Sequence, residues 1–360
     1  MNGVPPARVL VRAPNWLGDV AMALPALASI RRHFAGSQLT LALPEGLAAL
    51  GTRLPGVDHV VGLRTGGGLA TLRENVSRLR AGGHQVAILL TNSLGSALAA
   101  RWAGIPERWG YRADGRRWLL SRAVSRRVRS GPSSPHHAFY YLRLVEALGI
   151  APLPAEARVT VDEPTRARGR ALLSRAGLAA TRPLVGLAPG AAYGHAKRWP
   201  PDRVADLVRR LVRDTAAACV LVGAAADRDA GHAIESRLGL PPGGAAGDGR
   251  LANLIGRTDV ADLMAVVAAC RAFVSNDSGA MHLAAAMGVH VTAVFGPTDE
   301  RATAPLGPHT VVVHRVRCRP CLLRECPIDH RCMTRITPDD VFDSVARPLG
   351  EPGGSAGAPG

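Results

Sequence analysis

Short apolar runs alternate with longer amphipathic stretches along nearly the whole chain, and this alternation constrains the fold more than any other feature. The runs at 7–13 (ARVLVRA), 39–43 (LTLAL), 59–63 (HVVGL) and 86–90 (VAILL) read as strands, while 22–34, 69–81 and 93–104 carry apolar residues at helical spacing. The pattern resumes near residue 183, with strands expected at 183–189, 218–223, 272–275 and 290–297 and helices at 201–214, 259–270 and 279–288. Such strand–helix repetition predicts a parallel sheet covered on both faces. Because it occurs twice in 360 residues, it predicts an α/β chain of two Rossmann-like doubly wound domains facing a central cleft. The expected domains are 1–165 and 180–337, joined by a linker around 151–182, then a terminal helix at 338–349 and a disordered tail at 350–360. Open parallel sheets bind ligands beyond the C-terminal ends of their strands, so the turns that follow strands are the places to search for chemistry.

Apolar residues make up 47% and charged residues 20% of the chain, a globular composition that excludes a disordered one. No uncharged apolar run reaches the length of about 18 residues that a spanning helix requires. The opening MNGVPPARVLVRAP lacks the apolar core of a signal peptide, so a cytoplasmic location is expected. The net charge of +16 is uneven, at +14 over residues 1–180 and +2 over 181–360. Such a field suits an anionic partner: nucleic acid, a membrane surface or a phosphorylated substrate. Of the 44 basic residues, 43 are arginine and only Lys197 is lysine. Where arginine serves almost everywhere, the remaining lysine suggests a place that needs a compact ammonium.

Three post-strand turns carry candidate chemistry. NWLGD (15–19) places Gly18 and Asp19 at the opening of a helix, where a carboxylate can serve as a general base or simply complement the helix dipole. PGAAYGHAKRWP (189–200) is a long loop in which Lys197 and backbone amides suit a diphosphate, although its spacing is not that of a Walker A loop. NDSGAMH (276–282) is expected to cap a helix through Asp277, Ser278 and Gly279, leaving Ser278 and free amides for phosphate oxygens. His282, one turn in, faces either the cleft or the core. In GAAADRD (223–229), Asp227, with Asp229 second, could hold ribose hydroxyls. The segment 101–129 holds nine arginines among Trp102, Trp109, Tyr111 and Trp118, which fits an anionic surface or a plain solvated face. Cys318, Cys321, Cys326 and Cys332 form a compact CxxC-x4-C-x5-C run, a candidate structural zinc site. Cys219 and Cys270 lie in apolar surroundings and are expected to be buried thiols.

Taken in order, RAPNWLGDVAMALPAL (12–27), PGAAYGHAKRWP (189–200), SNDSGAMHLAAAMG (275–288), AVFGPTD (293–299) and the CRPC–CPIDHRCM stretch (318–333) resemble the ADP-heptose:lipopolysaccharide heptosyltransferases, inverting enzymes of the GT-B fold. NWLGD and the AKRWP loop are most similar to the branch that adds the second inner-core heptose. The resemblance implies an N-terminal acceptor-binding domain and a C-terminal nucleotide-sugar-binding domain. It implies Asp19 as the base that deprotonates the acceptor hydroxyl, and Lys197 as the cation on the leaving diphosphate. Donor contacts fall to Gly18, Pro189, Gly190, Tyr193, Asp227, Asn276, Asp277, Ser278, Gly279 and His282. Acceptor contacts fall to Asn15, Trp16, Asn92, Ser93, Arg112, Arg116 and Arg117. The implied partners are ADP-heptose, a phosphorylated Kdo-lipid A or heptosyl acceptor and the anionic inner face of the inner membrane, to which the enzyme would bind peripherally. No cofactor is required for catalysis in this scheme, with zinc at most structural, and no nucleic acid takes part.

The donor loop departs from a hydroxyl-rich phosphate loop in carrying Ala191 and Ala192. Two other readings stand beside this one. The first is a related transferase with another donor or acceptor, such as one adding the first heptose. The second is a basic nucleic-acid or membrane-binding protein without turnover, which the combination of Asp19, Lys197 and Asp277 disfavours. A Rossmann dehydrogenase is disfavoured because no GxGxxG follows a strand.

Overall fold

In a computed structural model that describes residues 6–126, 134–178, 181–240 and 249–350, the chain divides into two units, Met1–Thr160 and Val161–Gly360. The first contains strands β1 (Arg8–Arg12), β2 (Gln38–Pro44), β3 (His59–Leu63), β4 (Val86–Leu89), β5 (Glu107–Tyr111) and β6 (Arg122–Val124). Its helices are α1 (Leu17–His33), the single turn α2 (Ala48–Gly51), α3 (Leu69–Arg80), α4 (Leu94–Trp102) and α5 (Ala138–Ala147). The six strands form one sheet in the order β3-β2-β1-β4-β5-β6, every neighbouring pair parallel.

The second unit repeats the plan. Its strands are β7 (Leu184–Ala188), β8 (Ala218–Leu221), β9 (Leu251–Asn253), β10 (Cys270–Asn276), β11 (His290–Phe295) and β12 (His309–Val313). Its helices are α6 (Glu163–Arg175), α7 (Pro201–Asp214), α8 (Arg228–Leu238), α9 (Val260–Val267), α10 (Gly279–Ala286), the single turns α11 (Glu300–Thr303) and α12 (Arg331–Thr334), and α13 (Pro338–Gly350). The sheet order β12-β11-β10-β7-β8-β9 is the first unit's order met from the other edge, again all parallel. In both sheets the direction of strand addition reverses between two central strands: β1 and β4 in the first, β7 and β10 in the second.

The central strands are buried on both faces, as crossover helices on both sides of a parallel sheet require. Val9, Leu10 and Val11 in β1 and all five residues of β7 are buried. α7 begins with Pro201 and buries Val204, Ala205, Leu207, Val208 and Leu211, a stripe at i, i+1, i+3, i+4 and i+7 that lies against the sheet. Cys219 and Cys270 are buried as expected, and burial pushes the Cys219 thiol up to about 12.

The structure differs from the sequence expectation in several places. The expected linker contains α6, capped by Asp162, whose carboxylate accepts from Thr165 N at 3.0 Å. α6 packs on α9 of the second unit, and the units divide at 160/161, within the 151–182 stretch expected as the linker. Gly169 allows this packing, because a Cβ there would lie 2.1 Å from the Ala265 carbonyl oxygen. Strands β5, β6, β9 and β12 were not expected. α13 reaches Gly350, one residue beyond the helix end read from sequence; the rest of the expected tail, 351–360, lies outside the described residues, as does 127–129 of the arginine-rich segment. No helix among the described residues is long and apolar enough to cross a membrane.

Candidate functional site

Of the residues singled out from sequence, those in the turns after β1, β4, β7 and β10 lie at the two reversal points. After β7 the chain enters the loop 189–200, and after the neighbouring β10 it enters the turn that opens α10. Asn276, at the end of β10, ties the two together. Its Nδ2 donates to the carbonyls of Pro189 at 2.6 Å and Gly190 at 3.3 Å, and its Oδ1 accepts from Trp199 N at 3.1 Å. Asn276 is buried, so it shapes the loop from below and is not an exposed ligand contact. Trp199 is buried beside it and donates from its indole to the Ile336 carbonyl at 3.0 Å.

Held in this way, the loop brings Lys197 to Asp277. Lys197 Nζ lies 2.7 Å from Asp277 Oδ2, with the two side chains 14% and 5% exposed. The ammonium also sits 5.0 Å from the centroid of the Tyr193 ring, a cation–π distance. Asp227 is buried at the end of a short 3-10 turn and is bound by Arg198 at 3.0 Å and by Ala224 N at 3.1 Å. It presses on the loop so closely that a Cβ at Gly190 would lie 2.2 Å from its carboxylate. The expected ribose-binding acid is therefore committed to internal contacts. The expected side-chain cap is also absent: Ser278 occupies the N-cap position of α10 without a capping hydrogen bond, and its Oγ lies 3.0 Å from Ser275 Oγ instead. Gly279 begins α10, and His282 is buried.

The first unit has the matching arrangement at β1 and β4. Asn15 and Trp16 lead into α1, whose first turn holds Gly18 and Asp19. Asn15 Oδ1 accepts from Arg12 Nη2 at 2.5 Å, and burial pushes the Arg12 guanidinium down to about 10. Trp16 is exposed. Asp19 Oδ1 lies 3.8 Å from His137 Nε2, at the start of α5. The His137 ring stacks on Tyr140 at 5.4 Å with a 7° interplanar angle and meets Tyr141 edge-on. Tyr140 OH accepts from Asn92 Nδ2 at 2.5 Å, and Ser93 caps α4 through Ser96 N. His136, His137, Tyr111, Tyr140, Arg126 and Arg143 line a cavity of about 420 Å³, and Arg112 and Arg126 line a neighbouring one of about 440 Å³. His137 and Tyr140 were missed from sequence; the adjacent histidines just before the apolar run AFYYLRLV were the available signal.

One expectation needs correction. Arg116 is not on a binding face: it is fully buried, donates from Nε to the Tyr111 carbonyl at 3.1 Å and from Nη1 to Ser96 Oγ at 3.3 Å, and burial pushes it down to about 10. Arg108, Trp109 and Tyr111 are buried too, so the arginine-rich segment is partly core; among its described arginines and tryptophans, Arg101, Trp102, Arg112, Arg117, Trp118, Arg122 and Arg126 are exposed. The four cysteines expected as zinc ligands occupy one segment, 318–332. Among the described residues no three Cys, His, Asp or Glu side chains are arranged to hold a metal. Cys332 is buried under the segment, Cys321 is half-buried, and Cys318 and Cys326 are exposed. Burial and the neighbouring thiols push Cys332 up to about 11.

Comparison with known proteins adds three findings. The family model described as Glycosyltransferase family 9 (heptosyltransferase) matches residues 73–331. Lipopolysaccharide heptosyltransferase 2 of Salmonella typhimurium is 29% identical over 96% of this chain and 99% of its own length, and that of Escherichia coli is 30% identical over 86% and 90%. The solved structure of the E. coli ADP-heptose LPS heptosyltransferase II superposes with a TM-score of 0.78 at 28% identity, covering 95% of this chain and 98% of that one.

Proposed function

The chain belongs to glycosyltransferase family 9, the heptosyltransferases, and so to the enzymes of lipopolysaccharide heptose transfer; on that premise we propose that it moves L-glycero-D-manno-heptose from ADP-heptose onto the first inner-core heptose. The observation that carries the reading is the Lys197–Asp277 pair at the β7/β10 reversal, in a chain similar over nearly its full length to heptosyltransferases 2.

In the proposed mechanism Asp19 takes the proton from the acceptor hydroxyl as that oxygen attacks the anomeric carbon from the face opposite the ADP. The configuration inverts. Negative charge grows on the leaving diphosphate as the glycosidic bond breaks, and Lys197 stabilises it together with the amides that open α10. Asp277 holds the ammonium in place and is available to a donor-sugar hydroxyl. The scheme calls on no cofactor. The cavities lined by Arg112, Arg126, Arg143 and His136 suit the phosphates and carboxylates of a Kdo-lipid A acceptor, and the excess charge of the first half suits peripheral binding to an anionic cytoplasmic leaflet.

The test is ADP release from ADP-heptose with a Kdo2-lipid A acceptor carrying one heptose, in the wild type and in Asp19→Ala. Acceptor-dependent release that collapses in the variant is the expected result. Release only with the heptose-free acceptor would reassign the chain to addition of the first heptose, and no release with either acceptor would overturn the reaction proposed.

A further inference from the structure

Neither basic residue of the loop after β7 offers an uncompensated charge. Lys197 is neutralised by Asp277 at 2.7 Å, and Arg198 by Asp227 at 3.0 Å. A diphosphate arriving at this loop therefore meets two pairs of zero net charge. Backbone amides provide hydrogen bonds, but the field of a second cation is missing from these four side chains.

That cation is supplied from the cysteine-rich segment. The Tyr193 ring has Lys197 Nζ 5.0 Å from its centroid and Arg324 Cζ also 5.0 Å from it, so both charges lie against one ring and no more than 10 Å apart. Arg324 is brought there by main-chain contacts. Ala196 N donates to the Arg324 carbonyl at 2.9 Å, Tyr193 OH donates to the Leu322 carbonyl at 3.2 Å, and a ring nitrogen of His330 lies 2.6 Å from the Ala196 carbonyl. Gly194 permits the approach, since a Cβ there would lie 2.5 Å from the Arg324 carbonyl oxygen. The Arg324 side chain is thus not what docks the segment, and it is exposed. Nearby arginines are paired with carboxylates: Arg319 with Glu300, Arg301 with Asp299 and Arg331 with Asp329. Among the described residues Arg324 has no carboxylate partner. An aromatic face steadies a guanidinium without cancelling its charge and leaves its N–H edges free to bond an anion.

We propose that Arg324 is a second donor-site cation, binding the diphosphate of the nucleotide held by Lys197, with Tyr193 as the residue that positions both. This rests on the donor site proposed above. The test is calorimetric binding of ADP, AMP and adenosine to the full chain in wild type, Lys197→Ala, Arg324→Ala and Arg324→Lys. We expect Arg324→Ala to weaken ADP about tenfold, as loss of a charge-assisted hydrogen bond would, and AMP less. Adenosine binding and the ligand-free melting temperature should stay unchanged, the dependence of ADP affinity on salt should become shallower, and Arg324→Lys should recover part of the loss. ADP affinity within about twofold of wild type in Arg324→Ala, or an equal loss for adenosine, would overturn the inference while a weakened Lys197→Ala left the donor site standing. Failure of the wild type to bind ADP would overturn both.

Discussion

His137 Nε2 stands 3.8 Å from Asp19 Oδ1, with its ring stacked on Tyr140 and touching Tyr141 edge-on. The pair joins the first turn of α1 to the start of α5, so two segments more than a hundred residues apart frame one carboxylate. Burial holds His137 below the ordinary histidine value, against the opposing pull of Asp19 and with help from His136. At neutral pH the imidazole is therefore uncharged and places no cation beside Asp19. Protonating His137 would place a cation beside the carboxylate and weaken it as a base. We expect kcat of wild type to fall on the acid side as His137 charges, and His137→Gln to have kcat about tenfold lower, with little change in KM and a shifted acid limb. An acid limb identical in the two proteins would remove His137 from the account.

The same sign applies to stability. His84 is buried and, like His137, is held by burial below its ordinary value of 6.5. The unfolded chain then binds more protons than the folded one between 6.5 and the depressed folded values, so stability rises with pH across that window and is lost as pH falls through it. Melting temperature should drop between about pH 7.5 and pH 5.5, and His84→Asn should flatten the slope. A steeper slope in the variant would contradict the sign.

Lys197 and Asp277 should be coupled in folding as well as in function. Removing the ammonium leaves a carboxylate only 5% exposed without its partner, so Lys197→Ala should cost about 3 kcal/mol by urea unfolding. Adding Asp277→Asn should return part of that loss, because the orphaned charge is gone. Turnover should fall by roughly 100-fold or more in the single variant and should not return in the double, since the cation on the leaving group is still missing. Equal stabilities of single and double variants would mean the pair is not coupled.

Arg116 and Arg117 are adjacent in sequence and opposite in consequence. Arg116 is fully buried with Nε on the Tyr111 carbonyl and Nη1 on Ser96 Oγ, whereas Arg117 is exposed. Arg116→Ala should destabilise by about 3 kcal/mol, and Arg117→Ala by no more than about 0.5 kcal/mol. Liposome binding measured on the folded proteins should respond to Arg117, not Arg116. The reverse order in unfolding would refute the assignment.

Asn276→Ala should loosen the donor loop without touching Lys197 directly. It strands Trp199 N and the Pro189 carbonyl, both buried, at a cost of about 2 kcal/mol. Limited proteolysis should then cut within 190–197 faster than in wild type. Unchanged protection of that loop would show that Asn276 is not what holds it.

The elements legible in the sequence were those whose burial is continuous. VAILL, LVGLA and AFVS are buried on both faces, so their apolar runs needed no context. β5 was hidden because ERWGY buries Trp109, Gly110 and Tyr111 amid arginines that read as a charged surface, and β9 and β12 are a three-residue strand and a partly exposed edge. The helix at 163–175 was hidden because its composition is polar, and its packing is carried by Gly169, which has no side chain to signal it. At the site, residues lying directly after strands were legible because strand-end turns share a position in any doubly wound sheet. His137 and Arg324 were not, because each reaches the site from a segment whose place is set by tertiary packing. Arg116 was misread because an arginine interior is decided by what surrounds it.

A chain with a single lysine has one side-chain amine for acylating reagents to find, and here that amine is an internal member of an ion pair. Reaction with an amine-selective label at Lys197 requires the ammonium to leave Asp277 and lose its proton. The rate of labelling at Lys197, separated by a peptide map from acylation of the chain's α-amine, thus reads out opening of the pair. Nucleotides that occupy the ammonium should slow the labelling, which makes the lysine a built-in reporter of donor occupancy for any ligand screen.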